Sequence, residues 1–415
     1  MKKIYKSTIE MVTLLVVLAI LIAIPACNDN PDAYKIASGK PTVSYVRIPD
    51  ALSADSLVTH AFMGTTIALV GENLRSVKEI WFNDQQATLN TSLITPTALI
   101  VQVPNTIPDL VTSKIYMVTA SNDTVKYDFG VDVPSPLLKT MDCEYVPDGG
   151  TAVINGNFFL PVDGSTVPEV YFTPNIKAEV ISATLTKITV KVPAGADAGP
   201  VSVKSRYGTT RSKAFYFRDN RGLILDFDTK VCSGSWRTGH LYNSDPAGVS
   251  GYYVGLTGSL TDNSSWVEDN LAVELWGKAA GLPNQPLFTG NIGTLVMKFE
   301  VYVVNPWKAG YLQMIFSNWA NASNAIDGDK TLARGFWRPW ETNGTGVYQG
   351  SGWETVTIPL SDFKYSPDGT DSSLKLNSDN LGSLTFFVYG GGNAKLGAAC
   401  DVKICIDNIR VVPAE

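Results

Sequence analysis

"TTIALVGENLRSVKEIWFNDQQATLNTSLITPTALIVQVP", Thr65–Pro104, sets short apolar-polar alternations between turn residues Gly, Asn, Asp and Pro. A period of two predicts strands, because successive side chains of a strand point to opposite faces. "GTAVINGNFFLPVDGSTVPEVYFTPNIKAEVISATLTKITVKVP", Gly150–Pro193, repeats the plan. Each stretch has an alternating strand and then a glycine-asparagine turn, at Gly71 or Gly156. A Val-x-Glu-x-Trp/Tyr-Phe strand follows, and a last strand closes on Val-Pro. Burial of every second residue with turns at short intervals predicts two packed sheets. We expect Gly71 and Gly156 to take a backbone conformation that other residues avoid. Trp81, the one tryptophan in either repeat, is expected in the core.

Working outward, no long stretch after residue 27 holds a helical period, so the whole chain reads as all-β. From Arg221 its character changes: eight of the nine tryptophans lie there, among dense Gly and Asn. About nine strand candidates in this block, from "LILDFD" to "VKICIDNIRVV", suit a two-sheet jelly roll. In "YLQMIFSNW", Leu312, Met314 and Phe316 share one face, read as core. Tyr311, Gln313, Ser317 and Trp319 share the other, with Ile315 reducing its polarity.

The N-terminus, "MKKIYKSTIEMVTLLVVLAILIAIPAC", has a basic start, an apolar run and small or apolar residues before Cys27. That is the layout of a secretory signal, 1–26. The polar stretch 27–40 reads as a tether. A net charge of −6 with scattered Lys and Arg argues against a nucleic-acid partner. Two histidines, His60 and His240, without Cys or carboxylates at ligand spacing, leave little material for a zinc site or a His-based triad. Cys400 and Cys405 lie in one strand-like run, roughly 16 Å apart if extended, too far to bridge each other. Cys143 and Cys232 complete the set, and the sequence leaves the disulfide state open.

Resemblances to known families sharpen this reading. Cys27 after "IPA" resembles a bacterial lipoprotein box, which implies lipidation of Cys27. The acidic residues behind it resemble a surface-export signal, implying the outer face of the outer membrane. Residues 41–134 and 135–218 resemble immunoglobulin-like IPT/TIG domains, commonly spacers. In 219–415, "LDFD", "GWETVTIPLSDF" and "CIDNIRVV" resemble a galactose-binding-like β-sandwich. The order "NPWKAGYLQMIFSN", "RGFWRPW", "SGWETVTIPLSDF" resembles the terminal domain of surface glycan-binding proteins typified by xyloglucan binders. The resemblance implies a non-catalytic binder of a β-glucan such as xyloglucan or mixed-linkage β-glucan, or of another hemicellulose. It also implies a TonB-dependent importer, a companion glycan-binding lipoprotein and a surface glycanase as partners. In related sandwiches, acids of the first and last strands hold a structural calcium ion, making Asp226, Asp228 and Asp407 candidate ligands against the plainer reading of hydrogen-bonded turn acids.

A sugar ring offers a flat C–H face and a rim of hydroxyls, matched by an indole face with polar neighbours. Trp337 and Trp340, with Arg338 and Glu341 alongside, stand where a strand gives way to a Gly/Asn loop. Trp319 with Asn318, Trp266 in the polar "DNSSWVEDN", and Trp307 and Trp276 are the other candidate platforms. Trp236 is left open, and Trp353, at a strand start, reads as structural. Two rivals remain. A jelly-roll glycoside hydrolase needs paired carboxylates, but no Glu-x-Asp-x-x-Glu occurs, Glu268 and Asp269 are adjacent and diverge, and Asp226 and Asp228 open the domain. A structural or adhesive surface protein would use an exposed aromatic strip to pack subunits together.

Overall fold

The computed structural model describes residues 34–53, 55–230, 240–260, 272–276, 285–318, 331–389 and 397–415. The chain divides into two compact units, Met1–Val133 and Pro134–Glu415. The elements are strands almost throughout.

In the first unit, Thr42–Arg47, Thr66–Glu72 and Ala98–Gln102 form one sheet. Gln85–Ala87, Val77–Phe82, Lys114–Thr119 and Thr124–Asp128 form a second. Ile67, Leu69, Ile80, Phe82, Leu99, Ile115 and Met117 fill the space between them. Ile80 and Phe82 point inward, so alternation turns Trp81 out to the opposite face, half-buried, with Nε1 donating to Glu79 at 3.3 Å. The core expectation for Trp81 is therefore corrected.

The second unit opens with the same plan. Leu137–Met141, Thr151–Asn157, Lys187–Lys191 and Glu179–Ala183 face a sheet of Ile176–Lys177, Glu169–Phe172, Ser202–Ser205 and Gly208–Arg211. The two repeat glycines also match, though by close approach rather than by φ. A Cβ on Gly71 would stand 1.9 Å from the Thr42 carbonyl oxygen, and one on Gly156 would stand 1.9 Å from that of Leu137. Each faces a register shift in the first strand of its sandwich, Val43/Tyr45 and Leu138/Thr140. Positive φ falls instead at Asn73 and Phe158.

The rest of the second unit is a larger two-sheet sandwich. Its strands are β1 (Leu223–Leu225), β2 (His240–Tyr242), β3 (Tyr253–Leu260), β4 (Ala272–Trp276), β5 (Leu295–Val303), β6 (Tyr311–Ser317), β7 (Arg334–Trp337), β8 (Glu354–Pro359), β9 (Ser383–Tyr389) and β10 (Cys400–Pro413). One sheet runs β2-β3-β10-β5-β8 with β1 also on β10, and the other runs β4-β9-β6-β7. Met297, Phe299 and Val301 of β5 meet Leu312, Met314 and Phe316 of β6 and Phe386 of β9, as alternation predicts. A short helix α1 (Pro339–Thr342) follows β7, with proline in its first turn, where a missing N–H leaves no intrahelical bond unmade.

The terminal sandwich is joined to the repeat before it by polar and apolar contacts. Val249 belongs to the same apolar cluster as Ile154, Val170 and Phe172, and Trp353 packs on that cluster. The Thr355 N–H donates to the Asp142 carbonyl at 2.7 Å, and the Glu144 N–H donates to Thr355 Oγ1 at 2.8 Å. Beneath them Lys298 and Arg410 share Glu144, and Arg410 also reaches Glu300, every side chain no more than 3% exposed.

Candidate functional site

Strand register places Tyr311 opposite Tyr389, Gln313 between Phe387 and Phe336, and Ile315 between Thr385 and Arg334, all on the outward face of the β4-β9-β6-β7 sheet. This face is not bare. Gln313, Arg334 and Phe387 are fully buried. Gln313 Nε2 donates to the carbonyls of Pro367 and Tyr389, both at 3.0 Å, while Arg334 Nη1 donates to Gln313 Oε1 at 2.7 Å. The segment through Tyr365 and Pro367 runs along β7, its backbone bridged to Arg334, and closes that part of the face. The polar face expected from "YLQMIFSNW" therefore exists, but its polar groups are tied to the protein.

Beyond this tied region stands a half-buried cluster around Arg338. The guanidinium carbon lies 5.2 Å from the ring centre of Tyr311, 5.2 Å from that of Tyr365 and 5.8 Å from that of Phe336. Its Nε pairs with exposed Glu341 at 3.2 Å. Phe336 meets Tyr365 edge-on at 5.2 Å and Tyr311 at 5.4 Å. Gly369 takes φ +79° in the turn beyond Pro367, and a Cβ there would stand 2.9 Å from the Tyr311 ring, so only glycine lets the turn close over it. Burial pushes the Tyr311 hydroxyl pKa up. Phe336 and Tyr365, edge to face beside a planar cation and backed by the buried Tyr311, give an apolar surface with hydrogen-bond donors beside it and a carboxylate acceptor at its rim.

The structure separates the predicted platforms. Arg338 and Glu341 come together at this cluster. Trp307 is fully buried in the sandwich core and Trp340 is 5% exposed. Trp340 Nε1 donates to the Gly310 carbonyl at 2.8 Å, and its ring lies parallel to Tyr311. Trp307 Nε1 donates to the Ala309 carbonyl at 2.5 Å. Trp337 alternates with Phe336 and turns inward, its ring against Phe299, Trp307 and Tyr348. Trp307 and Trp340 are packing elements buried in the core cluster, and their reading as platforms is corrected; Trp337 is half-buried against that core. Trp353 is half-buried, packed on the core of the preceding repeat with part of its ring left exposed, and its Nε1 donates to the Ala247 carbonyl at 2.9 Å. Trp276 stands opposite Ser383 at the end of β4, and Asn318 is half-buried just past β6. Trp319, Trp266, Trp236, Cys27 and Cys232 lie outside the described residues.

The sequence reading missed Phe336 and Tyr365. Phe336 was visible as the alternate of Trp337; Tyr365, in "DFKYSPDG", carried no strand period to mark it.

Asp226, Asp228 and Asp407, the candidate calcium ligands, take the plainer role of hydrogen-bonded acids. Among the described residues no group of three or more His, Cys, Asp or Glu is placed to hold a metal ion. Asp226 Oδ1 instead accepts the amides of Asp228, Thr229 and Lys230. Asp228 accepts from the Tyr252 N–H at 2.9 Å. Asp407 is buried against Ser250 and the Asn408 N–H, and burial pushes its pKa up to about 8. Cys143 and Cys405 are buried free thiols, and Cys400 is a half-buried one.

The comparisons place this all-β chain, which carries a rigid aromatic and cationic cluster at the edge of its terminal sandwich, in the class of glycan-binding proteins. Residues 217–413 match the family model described as surface glycan-binding protein B xyloglucan binding domain. The crystal structure of surface glycan-binding protein PbSGBP-B from Prevotella bryantii is similar over 91% of this chain and 100% of that one, with 33% identity and a TM-score of 0.77. An IPT/TIG domain-containing protein of Bacteroides ovatus is 31% identical over 169 residues, 38% of this chain but only 33% of that relative's length. The chain belongs to the surface glycan-binding protein B family.

Proposed function

We propose that this protein captures a β-linked polysaccharide at the cell surface, with xyloglucan or mixed-linkage β-glucan as the ligand class, and performs no chemistry on it. The observation that carries the reading is the Arg338 cluster, where Phe336 and Tyr365 present ring surface beside a guanidinium and the Glu341 carboxylate. Apolar ring surface suits the C–H face of a glucose residue, and the charged pair suits its hydroxyls. The family model's description, which names xyloglucan, supports the ligand class.

The protein is held through a lipid on Cys27 at the outer face of the outer membrane, with its sandwiches as the stalk. There it hands glycan to a TonB-dependent importer, alongside a companion glycan-binding lipoprotein and a surface glycanase. The terminal-domain match favours this over an adhesive role. Electrophoresis in gels containing xyloglucan, mixed-linkage β-glucan or mannan tests it. Retardation by a β-glucan, weakened but not abolished by Arg338→Ala with Tyr365→Ala, is expected. Self-association without retardation favours adhesion, and reducing-sugar release would make the protein an enzyme.

A further inference from the structure

A groove lies within the second unit, at the junction of its two sandwiches. It occupies about 390 Å³ where the repeat at 135–218 meets the terminal sandwich, within the range of small-molecule sites. Asp142 comes from the repeat; Tyr348, Gln349, Ser351, Trp353 and Glu354 come from the terminal sandwich. Tyr348 and Trp353 supply ring surface, and each ring is fixed. Tyr348 hydrogen-bonds Glu354 and meets Trp337 edge-on at 5.7 Å. Trp353 meets Tyr253 at 5.2 Å and Tyr302 at 6.1 Å. Asp142 accepts from Asn155 Nδ2 at 2.6 Å, which orients its carboxylate. No lysine or arginine is among the lining residues and two carboxylates are, so the groove disfavours an anion.

We propose that this junction groove binds a neutral saccharide, a second glycan subsite apart from the Arg338 cluster. Fixed rings meet the sugar's C–H face, and the carboxylates and the Gln349 amide take its hydroxyls. The inference rests on the glycan-capture reading. Because one wall comes from the preceding repeat, the site exists only where that repeat is docked. The repeat then contributes to binding as well as to reach.

Gly352 provides a test that removes no contact. It has no positive φ, and a Cβ there meets nothing within 4 Å, so Gly352→Phe adds a side chain into open groove. The full chain carrying Arg338→Ala and Tyr365→Ala is titrated with cello-oligosaccharides and xyloglucan oligosaccharides, by calorimetry and by the ¹⁵N signal of the Trp353 indole. Residual binding that shifts this signal, and that Gly352→Phe abolishes at unchanged melting temperature, is expected. Residual binding unaffected by Gly352→Phe, or no residual binding in a protein whose parent binds, overturns the subsite. A parent chain that binds none of these sugars fails at the earlier step and overturns the capture reading as well.

Discussion

Arg410, on the last strand, donates from Nη2 to Glu144 Oε2 at 2.7 Å, across 266 positions of sequence. Its Nη1 reaches Glu300 Oε2 at 2.7 Å, and Lys298 Nζ reaches Glu144 Oε1 at 2.6 Å. Two cations and two carboxylates are thus balanced in the seam between the repeat and the terminal sandwich. Removing one charge strands the others in a dry seam, at a cost of about 3–5 kcal/mol. Glu144→Gln is expected to lower the stability of residues 134–415 by that amount in urea unfolding, with the slope unchanged. A loss under about 1 kcal/mol would mean that the apolar contacts of Val249 and Trp353 carry the seam.

Two sets of aromatic substitutions should behave oppositely. Trp307→Ala and Trp340→Ala open cavities in the core and are expected to cost about 3–5 kcal/mol of stability. Tyr365→Ala, at the half-buried cluster, should leave the melting temperature nearly unchanged. It should weaken polysaccharide binding roughly tenfold or more, on the scale of about 1–3 kcal/mol measured for rings stacked on bases. Calorimetric titration beside thermal unfolding separates the two, and a Tyr365→Ala protein of parental affinity would remove that ring from the site.

The contrast marks where sequence stops being legible. Leu312, Met314 and Phe316 announce the core by alternation alone, because a strand's period is set by its backbone. The outward face of the same strand was legible in composition but not in exposure. Whether Gln313 meets water depends on a segment some 50 positions on, whose Pro367 carbonyl accepts its amide. Tryptophan among glycines likewise does not say which side of β7 is wet: Phe336 and Trp337 are neighbours, and only the register with Leu312 and Gln313 sends one outward and the other inward. The Glu144 seam joins residues too distant in sequence for any local pattern to mark.

The repeat glycines make a third prediction. A Cβ at Gly71 or Gly156 would overlap a carbonyl oxygen of the neighbouring strand, and backbone cannot swing aside as a side chain can. Gly71→Ala and Gly156→Ala should each cost about 1–3 kcal/mol, the range for overpacked sites. The loss should appear in residues 1–133 for Gly71 and in residues 134–415 for Gly156. Gly344→Ala is a poor control, since Gly344 has φ +74°; Gly352→Ala, with open space and no positive φ, is the better one and should be neutral. Differential scanning calorimetry of the full chain reads both units.

The last prediction concerns acid. Glu169 accepts from Lys177 Nζ at 2.6 Å and from the Tyr171 hydroxyl at 3.0 Å, and it pairs with Lys204 at 3.2 Å. The Lys177 hydrogen bond, then those of Tyr171 and Lys204, hold its pKa down at about 2 against an ordinary 4.5. A carboxylate whose folded pKa is depressed binds fewer protons folded than unfolded. Its stabilisation is therefore fully present above its ordinary pKa and is lost as pH falls through about 2. Glu169→Gln should accordingly melt below the parent at pH 7, and the gap should close progressively between about pH 5 and 2. The partner lysines are more than half exposed, so the gap should be small and should shrink in high salt. A difference in melting temperature that stayed constant across that pH range would show that the glutamine perturbs packing and that the carboxylate's charge is idle.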